Sequence, residues 1–210
     1  MNAVFVVGAA AQVLFSARLL VQWIRSERLQ RVLTPEIFWE LSLAASILMF
    51  LYGWLRNDFA IMVGQTLTYF IYIRNLQLQN RWQHFPLFFR AFLFGFPFMV
   101  VWYGYHNGHA DIGRLFYNHA IPHWLIVWGV LAHLLFTLRF VYQWARSERR
   151  GHSHLPMGFW LISLLGSGMI LIYAILRKDP VLFAGQAAGF VIYIRNIRLL
   201  RQQKRLSSRP

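Results

Sequence analysis

A first group of polar residues, three in each of two apolar stretches, has the types and spacing that could bind a charged ligand. Each stretch has an arginine, a glutamine and a serine at intervals of four residues: Arg18, Gln22, Ser26, Arg139, Gln143 and Ser147. Intervals of four place side chains on one face of a helix. An arginine at the centre of a bilayer costs about 2.5–3.5 kcal/mol on insertion scales, so it usually faces protein, a cavity or headgroups. Two interpretations are open: both arginines reach the inner membrane surface, or they form a basic wall for an anionic headgroup.

A second group lies in two other apolar stretches, GQTLTYFIYIRN at 64–75 and GQAAGFVIYIRN at 185–196. Its members are Gln65, Tyr72, Arg74, Asn75, Gln186, Tyr193, Arg195 and Asn196. The glutamine, tyrosine and asparagine of each stretch share one helix face, and they either bond a neighbouring helix or bind a ligand. The two arginines reach the membrane surface, pair with Glu27 and Glu148, or bind phosphate, which their planar donors suit. We predict that all the residues of both groups are ligand-binding residues.

Both groups belong to an internal repeat. Shifting the sequence by 121 residues aligns 15–75 with 136–196 without a gap, and 25 of 61 positions, about 41%, are identical. Many identical positions are charged or polar, and such residues rarely match by chance within apolar segments. We therefore expect two copies of one structural unit, with the binding site between them.

The composition indicates an integral membrane protein. Of the 210 residues, 58% are hydrophobic, 18% aromatic and 13% charged, whereas a soluble domain carries about 25% charged residues. The net charge of +14 comes from basic residues at the ends of apolar stretches, which indicates contact with anionic lipid rather than with nucleic acid. The absence of cysteine excludes disulfides and thiol chemistry. No histidine pair has the third ligand of a zinc site, so neither a metal nor a cofactor is expected.

Seven apolar runs of about 20 residues, the length that spans a bilayer, lie at about 3–24, 36–55, 59–78, 87–105, 122–144, 157–176 and 180–199. They predict an all-α integral membrane fold with seven transmembrane helices in a 3+1+3 arrangement, in which a linker helix joins two parallel triple-helix bundles. The predicted units are a first three-helix repeat at 1–80, a linker helix and outer loop at 81–120, a second three-helix repeat at 121–200 and a basic cytoplasmic tail at 201–210. The N-terminus lacks the basic region of a cleavable signal, so we expect a retained first span.

The distribution of basic residues predicts the orientation. With the N-terminus outside, 17 of the 21 Lys and Arg residues fall on the inner side, as the positive-inside rule requires. Asp58 and Asp179 are expected to cap the helices that follow them. Glu40 has no acidic counterpart in the second copy; it could carry protons, bind a cationic sugar or lie at the interface. Four tryptophans are expected in the aromatic belt at the membrane surface: Trp23, Trp39, Trp144 and Trp160.

Several motifs of the repeat carry a family resemblance. FTLRFVYQWARSE at 136–148, a Pro-x-x-Phe-Trp pattern, DPVLFAGQ at 179–186 and YIRN together resemble the lipid-A biosynthesis N-terminal domain family, in two tandem copies. The first copy departs from the pattern with Phe59 where the second has Pro180. The resemblance implies a role in lipid A or envelope glycolipid pathways at the inner (plasma) membrane of Gram-negative bacteria, with a periplasmic N-terminus and a cytoplasmic C-terminus.

Some members of that family precede a lipid-A-disaccharide synthase domain, but that catalysis is not expected from these 210 residues. The 3+1+3 arrangement is also similar to the architecture of SWEET and PQ-loop sugar transporters, an analogy at the level of the fold. No acid–base pair or nucleophile motif is apparent, so no catalytic residue is predicted, and we expect a transporter or accessory protein rather than an enzyme.

The leading hypothesis is a protein that binds or flips a phosphate-containing lipid-linked sugar, such as a polyprenyl-phosphate sugar or a lipid A intermediate. The phosphate would be held by Arg18, Arg74, Arg139 and Arg195. The sugar would be bonded by Gln22, Gln65, Gln143, Gln186, Tyr72 and Tyr193. The alternatives are a non-catalytic membrane partner of a glycosyltransferase, an enzyme or component related to lipid-A-disaccharide synthase, and a SWEET-like carrier of small sugars.

Overall fold

The computed structural model describes residues 3–55, 59–106, 122–176, 178 and 180–207. In these residues the chain forms seven α-helices, one short 3₁₀ helix (Trp82–His84) and no strand. The helices are α1 (Ala3–Arg28), α2 (Glu36–Leu55), α3 (Phe59–Leu78), α4 (Leu87–His106), α5 (His123–Arg150), α6 (Met157–Leu176) and α7 (Pro180–Ser207). Among the described residues, three helical segments are long and apolar enough to cross a membrane: Val6–Arg28, Glu36–Leu55 and Met157–Leu176.

The helices begin where the apolar runs predict, but α1, α5 and α7 continue past the end of the apolar run into charged sequence. Arg, Glu, Lys and Gln are good helix formers, so loss of apolarity does not by itself end a helix. A residue with left-handed backbone follows the end of both α1 and α5, Gln30 (φ 49°) and Gly151 (φ 69°), and these two residues occupy the same position in the repeat. The predicted caps Asp58 and Asp179 lie outside the described residues.

Each set of three consecutive helices packs around its middle member. Helix α2 lies between α1 and α3, and α6 lies between α5 and α7. The sets meet through α3 against α5 and α1 against α7, which is the reciprocal pattern of a two-fold relation. Arg195 pairs with Glu27 and Arg74 pairs with Glu148. The carboxyl ends of α1, α3, α5 and α7 therefore lie together, at what we call the ion-pair end.

Helix α4 packs on the outside of the first set. The Phe96 ring contacts the rings of Phe50 and Tyr69, with centroids 5.8 and 6.4 Å away. The Tyr69 hydroxyl donates a hydrogen bond of 2.6 Å to the carbonyl of Leu93. Other large side chains of α4 are exposed, including Phe88 and Trp102, so this helix presents apolar surface outward.

Two of the four tryptophans expected in an interfacial belt are core residues, so that prediction is wrong for them. Trp39 and Trp160 are fully buried. Their rings pack against Tyr72 and Tyr193 at 5.9 and 6.1 Å between centroids. The sequence pattern placed them near a helix end, where a belt residue also lies, but only packing shows which way the ring points.

The glycine at position 166 allows α6 to approach α5 closely, which yields a testable prediction. A Cβ at Gly166 would lie 3.1 Å from the backbone Cα and N of Phe136, and neither helix backbone yields easily. Gly166→Ala is expected to lower the free energy of unfolding by about 1–3 kcal/mol. Nothing lies within 4 Å of a Cβ added at Gly95, so the control Gly95→Ala should instead stabilise α4 by about 0.5–1 kcal/mol. Unfolding of the purified protein in detergent measures both, and equal effects would contradict this packing.

Candidate anion-binding site

The first candidate arginine is buried among aromatic rings and hydroxyl groups. Arg18 is 4% exposed. Its Nη1 donates to the Ser42 hydroxyl at 2.7 Å and to the Tyr72 hydroxyl at 3.2 Å. The guanidinium carbon lies 4.6 Å from the centre of the Phe15 ring, close enough for a cation–π interaction. Its Nε is buried and has no hydrogen-bond partner.

The repeat-related arginine is buried to the same degree but has fewer partners. Arg139 is 5% exposed, and both its Nε and its Nη1 lack a hydrogen-bond partner. Its guanidinium carbon lies 3.2 Å from the centre of the Phe136 ring. A cation–π contact stabilises a cation by about 0.5–2 kcal/mol but does not provide the oxygen acceptors that the unmet N–H groups lack.

Both guanidinium groups approach the same ring. Arg18 and Arg139 lie 5.2 and 4.7 Å from the centre of Phe140, so the two positive charges repel each other in an apolar interior. In α1 the helix continues for about 15 Å beyond Arg18 at 1.5 Å per residue. Neither side chain reaches the surface, so the first of the two interpretations from sequence, snorkelling to the inner membrane surface, is wrong.

No carboxylate compensates these charges among the described residues. The carboxylates of that part of the chain pair with other arginines: Glu27 with Arg195, Glu148 with Arg74, and Glu36 and Glu40 with Arg81. A buried charge without a counter-ion is costly. We call the two arginines, with the rings and hydroxyls that surround them, the buried cationic pocket; its chemistry suits an anion.

Between this pocket and the ion-pair end, two pairs of side-chain amides join the repeats. Gln22 Nε2 donates to Asn196 Oδ1 at 2.8 Å, and Asn196 Nδ2 donates back at 3.2 Å. Gln143 and Asn75 make the same exchange at 2.7 and 3.1 Å. All four side chains are fully buried. We call this arrangement the amide seam; its amides are occupied by protein partners rather than open to a ligand.

Serines of α1 and α5 tie the following loops to the amide seam. The Ser26 hydroxyl accepts the backbone N–H of Leu33 at 3.0 Å, and the Ser147 hydroxyl accepts that of His154 at 3.2 Å. The loop carbonyls accept from Gln22 and Gln143 at 3.2 and 3.1 Å. Burial lowers the pKa of the His154 imidazole, and the nearby charges of Arg150, His152 and Arg146 lower it further, against a hydrogen bond to the His152 backbone that raises it.

Arg74 and Arg195 show one of the alternatives from sequence, pairing with glutamate across the repeats. Arg74 Nε donates to Glu148 at 2.9 Å, and Arg195 Nε donates to Glu27 at 2.7 Å. These four side chains are about one-third to two-fifths exposed, so each pair contributes at most about 1 kcal/mol. In this conformation their charges are compensated by glutamates, and they do not lie open to a phosphate together with Arg18 and Arg139 as predicted.

The two repeats are not equivalent beside the amide seam. Ser153 donates to Asn75 Oδ1 at 2.6 Å and accepts from Trp39 Nε1 at 2.8 Å. The corresponding position in the first repeat is Val32, and the Trp160 indole N–H is buried without a partner. The ring shared by both guanidiniums is also unmatched, because Leu19 occupies the position of Phe140 in the first repeat.

The remaining predicted residues lie at different depths. Tyr72 and Tyr193 are buried, and the Tyr72 hydroxyl contacts Arg18. Gln65 and Gln186 are half-buried and precede these tyrosines by about 10 Å of helix, so they are not beside the guanidiniums. Ser42 was not among the predicted binding residues, although its identity with Ser163 in the repeat is a usable signal.

Glu40 lies in a cleft at the ion-pair end rather than in the buried pocket. The cleft encloses about 730 Å³ and is lined by residues that include Arg25, Glu36, Glu40, Arg81 and His152. Arg81 bridges Glu36 at 2.9 Å and Glu40 at 3.3 Å. The second repeat has Met157, Leu161 and Gln202 at the positions of these three residues, so this ion cluster belongs to the first repeat alone.

The amide seam predicts a stability difference between its two asparagines. Asn75→Ala and Asn196→Ala should each lower the free energy of unfolding by about 0.5–2 kcal/mol, because a buried glutamine amide loses its partner. Asn75→Ala should cost more, since Asn75 also accepts from Ser153. Gln202→Ala, at an exposed position of α7, is the control. Unfolding in detergent measures the three; asparagine variants as stable as the control would contradict the amide seam.

Comparison with known proteins agrees with the repeat. The family model described as the Lipid A Biosynthesis N-terminal domain (LAB_N) matches residues 7–77 and 128–198, again 121 residues apart. Lipid-A-disaccharide synthase of Chlamydia pneumoniae is 29% identical over 205 residues, which cover 94% of this chain and 33% of that protein. The Chlamydia abortus and Chlamydia felis proteins of the same name are 28% and 27% identical over 96% and 98% of this chain, and 34% of their own lengths.

The chain thus spans about a third of the length of these curated relatives. No solved structure matches it. The two matched segments together cover more than half of the chain, and their offset equals that of the internal repeat. This protein belongs to the Lipid A Biosynthesis N-terminal domain family and carries two tandem copies of the domain.

Proposed function

We propose that this protein binds a phosphate-containing lipid-linked sugar of lipid A or envelope glycolipid biosynthesis within the membrane and moves it between leaflets. The carrying observation is the buried pair Arg18 and Arg139, which have unmet N–H donors and no carboxylate partner in the described part of the chain. A phosphate supplies both the negative charge and the acceptor oxygens that this pocket lacks. The family relation to lipid A biosynthesis supports the choice of ligand class.

The membrane arrangement we propose has seven spans in a 3+1+3 order with parallel three-helix repeats at 1–80 and 121–200, a linker at 81–120 and a basic cytoplasmic tail at 201–210. The protein lies in the bacterial inner membrane with its N-terminus in the periplasm. Large apolar side chains on the outer surface, such as Phe88, Leu165 and Val191, support contact with acyl chains. The ion-pair end would then face the cytoplasm, where basic residues concentrate.

The proposed mechanism is alternating access between the repeats. Arg18 and Arg139 hold the phosphate, and the hydroxyls of Tyr72 and Tyr193 lie at the same depth for sugar hydroxyls. Gln65 and Gln186 are placed further along the same helices, where an extended headgroup would pass. In the conformation described, the amide seam and then the two ion pairs lie between the pocket and the proposed cytoplasmic side.

Arg74 and Arg195 receive a different role from the one expected from sequence alone. Their pairing with Glu148 and Glu27 joins the two repeats at the ion-pair end. Moving the repeats apart breaks both pairs and the four amide hydrogen bonds of the seam together. The two arginines therefore help to close the route to the pocket and meet the ligand's headgroup only when it passes. The same role is shared by the residues of the amide seam and the two serines beside it: Gln22, Gln143, Asn75, Asn196, Ser26 and Ser147.

A second candidate function is a non-catalytic membrane partner of a glycosyltransferase. It is favoured by the length of the chlamydial relatives, which are named lipid-A-disaccharide synthases and have about two-thirds of their length outside the matched part. In that case the protein presents a lipid-linked substrate to the enzyme without moving it. Such a protein co-purifies with the enzyme and does not accelerate lipid exchange between leaflets.

Single cysteines test the proposed orientation, because the chain has none of its own. Cysteines at Gln30 and His152, exposed and at the ion-pair end, should react with a membrane-impermeant maleimide only after cells are permeabilised. A cysteine at Lys178, exposed between α6 and α7, should react in cells whose inner membrane is intact, once the reagent has reached the periplasm. Labelling of only one of Gln30→Cys and His152→Cys in intact cells would contradict parallel repeats.

Transport in proteoliposomes tests the function itself. The wild-type protein should accelerate leaflet exchange of a polyprenyl-phosphate-linked sugar, and Arg18→Ala combined with Arg139→Ala should reduce that acceleration at least about tenfold, since the pocket loses both positive charges that attract phosphate. Arg28→Ala, at an exposed position of α1, is the control for a lost cation. Full activity of the double variant would refute the assignment of the pocket. No acceleration by wild type, with retained binding, would favour the partner function.

A further inference from the structure

Arg18 and Arg139 occupy the same position in the repeat and are equally buried, yet their hydrogen bonding differs. Arg18 Nη1 has two hydroxyl acceptors, Ser42 and Tyr72. On Arg139 the corresponding Nη1 has none, and its Nε is also without a partner. The serine that corresponds to Ser42 is present as Ser163 and donates to the Phe159 carbonyl at 2.6 Å, so the difference does not come from a missing residue.

The arginines also differ in how their rings hold them. The Arg139 guanidinium carbon lies 3.2 Å from the centre of the Phe136 ring, whereas the equivalent distance from Arg18 to Phe15 is 4.6 Å. Such a close contact restricts the movement of the Arg139 guanidinium group, because one side of it is occupied by the ring. A restricted guanidinium with unmet donors is a preorganised site for phosphate oxygens, which bind arginine through its N–H groups.

Among the described residues, more buried donors are unmet in the second repeat than in the first, where Arg18 Nε and the Trp23 indole N–H are also unmet. The Trp160 indole N–H and the Ser167 hydroxyl are buried without partners. Their counterparts in the first repeat are engaged, since Trp39 donates to Ser153 and Ser46 donates to the Leu43 carbonyl. Buried polar groups are normally satisfied, so this imbalance points to the repeat in which a ligand supplies acceptors.

We propose that the ligand's phosphate is held mainly by Arg139 in the second repeat, and that Arg18 is a positioning residue held by the protein. The proposal rests on the proposed function and assigns its anion to one half of the pocket. Arg18 contributes positive charge at a distance and orients Tyr72, whereas Arg139 donates directly to phosphate oxygens. The two halves of the pocket are therefore unequal: the second repeat binds the phosphate, and the first repeat faces the sugar.

The proposal predicts unequal effects of the same substitution on the ligand-free protein. Arg139→Met removes a buried charge whose Nε and Nη1 have no hydrogen-bond partner, so no hydrogen bond of these donors is lost. Arg18→Met also removes a buried charge, but it breaks two hydrogen bonds and leaves the Tyr72 hydroxyl without its partner, which is costly in the interior. The midpoint of thermal unfolding in detergent should therefore be higher for Arg139→Met than for Arg18→Met.

Binding is measured on the full chain in lipid nanodiscs with a short-chain polyprenyl phosphate, and the polyprenol without phosphate is the control probe. Arg139→Met should weaken binding of the phosphate probe at least about tenfold, the effect of losing a charge-assisted hydrogen bond. Arg18→Met should weaken it by only a few-fold. Neither substitution should change binding of the polyprenol.

The outcomes separate this inference from the proposed function. Equal losses of phosphate binding in both variants, or an unfolding midpoint for Arg139→Met no higher than that for Arg18→Met, would overturn the unequal pocket while leaving a phosphate-binding protein. Unchanged phosphate binding in both variants would overturn the pocket itself. If the wild-type protein does not distinguish the phosphate probe from the polyprenol, both this inference and the proposed function fail.

Discussion

Reciprocal hydrogen bonds between side-chain amides set how the two repeats face each other. Gln22 bonds Asn196, and Gln143 bonds Asn75, with every amide fully buried. In an apolar environment such groups have no alternative partner in the solvent, so the pairing restricts the arrangement of the two halves. The same rows of residues continue to Arg18 and Arg139 on one side and to Glu27 and Glu148 on the other. That pairing therefore sets where the two arginines and the two glutamates lie along the contact between the repeats.

The buried pocket differs from the amide seam because its charges are not balanced within the described residues. Amides satisfy one another, since each carries donors and an acceptor, but a guanidinium carries only donors. Two of them near one Phe140 ring need oxygen acceptors from elsewhere. The hydroxyls of Ser42 and Tyr72 supply acceptors for Arg18, but they are neutral and do not compensate its charge. An anionic ligand resolves both deficits at once.

Duplication followed by divergence explains why the repeats are similar in framework and unequal in detail. Residues of the amide seam and the ion pairs are identical in both copies, as an exchange between two halves requires. Differences lie beside them, at Ser153 against Val32, Phe140 against Leu19, and Arg81 against Gln202. These differences make the two halves of the pocket unequal and give the first repeat its own cleft at the ion-pair end. A ligand with two chemically different parts, a phosphate and a sugar, suits a pocket with two different halves.

The sequence by itself determined the helices, the repeat, the family and which polar residues share a helix face. These properties depend on local periodicity and on identities at a fixed offset, so α2, α3 and α6 have the predicted bounds. Only the tertiary structure decided which polar residues meet. Arg18 and Arg74 are the same residue type in the same repeat, yet one is buried without a carboxylate and the other pairs with Glu148. Likewise Trp39 and Trp160 lie in the core. A helical pattern fixes the direction of a side chain relative to its own helix, whereas its partner depends on how that helix is rotated against its neighbours.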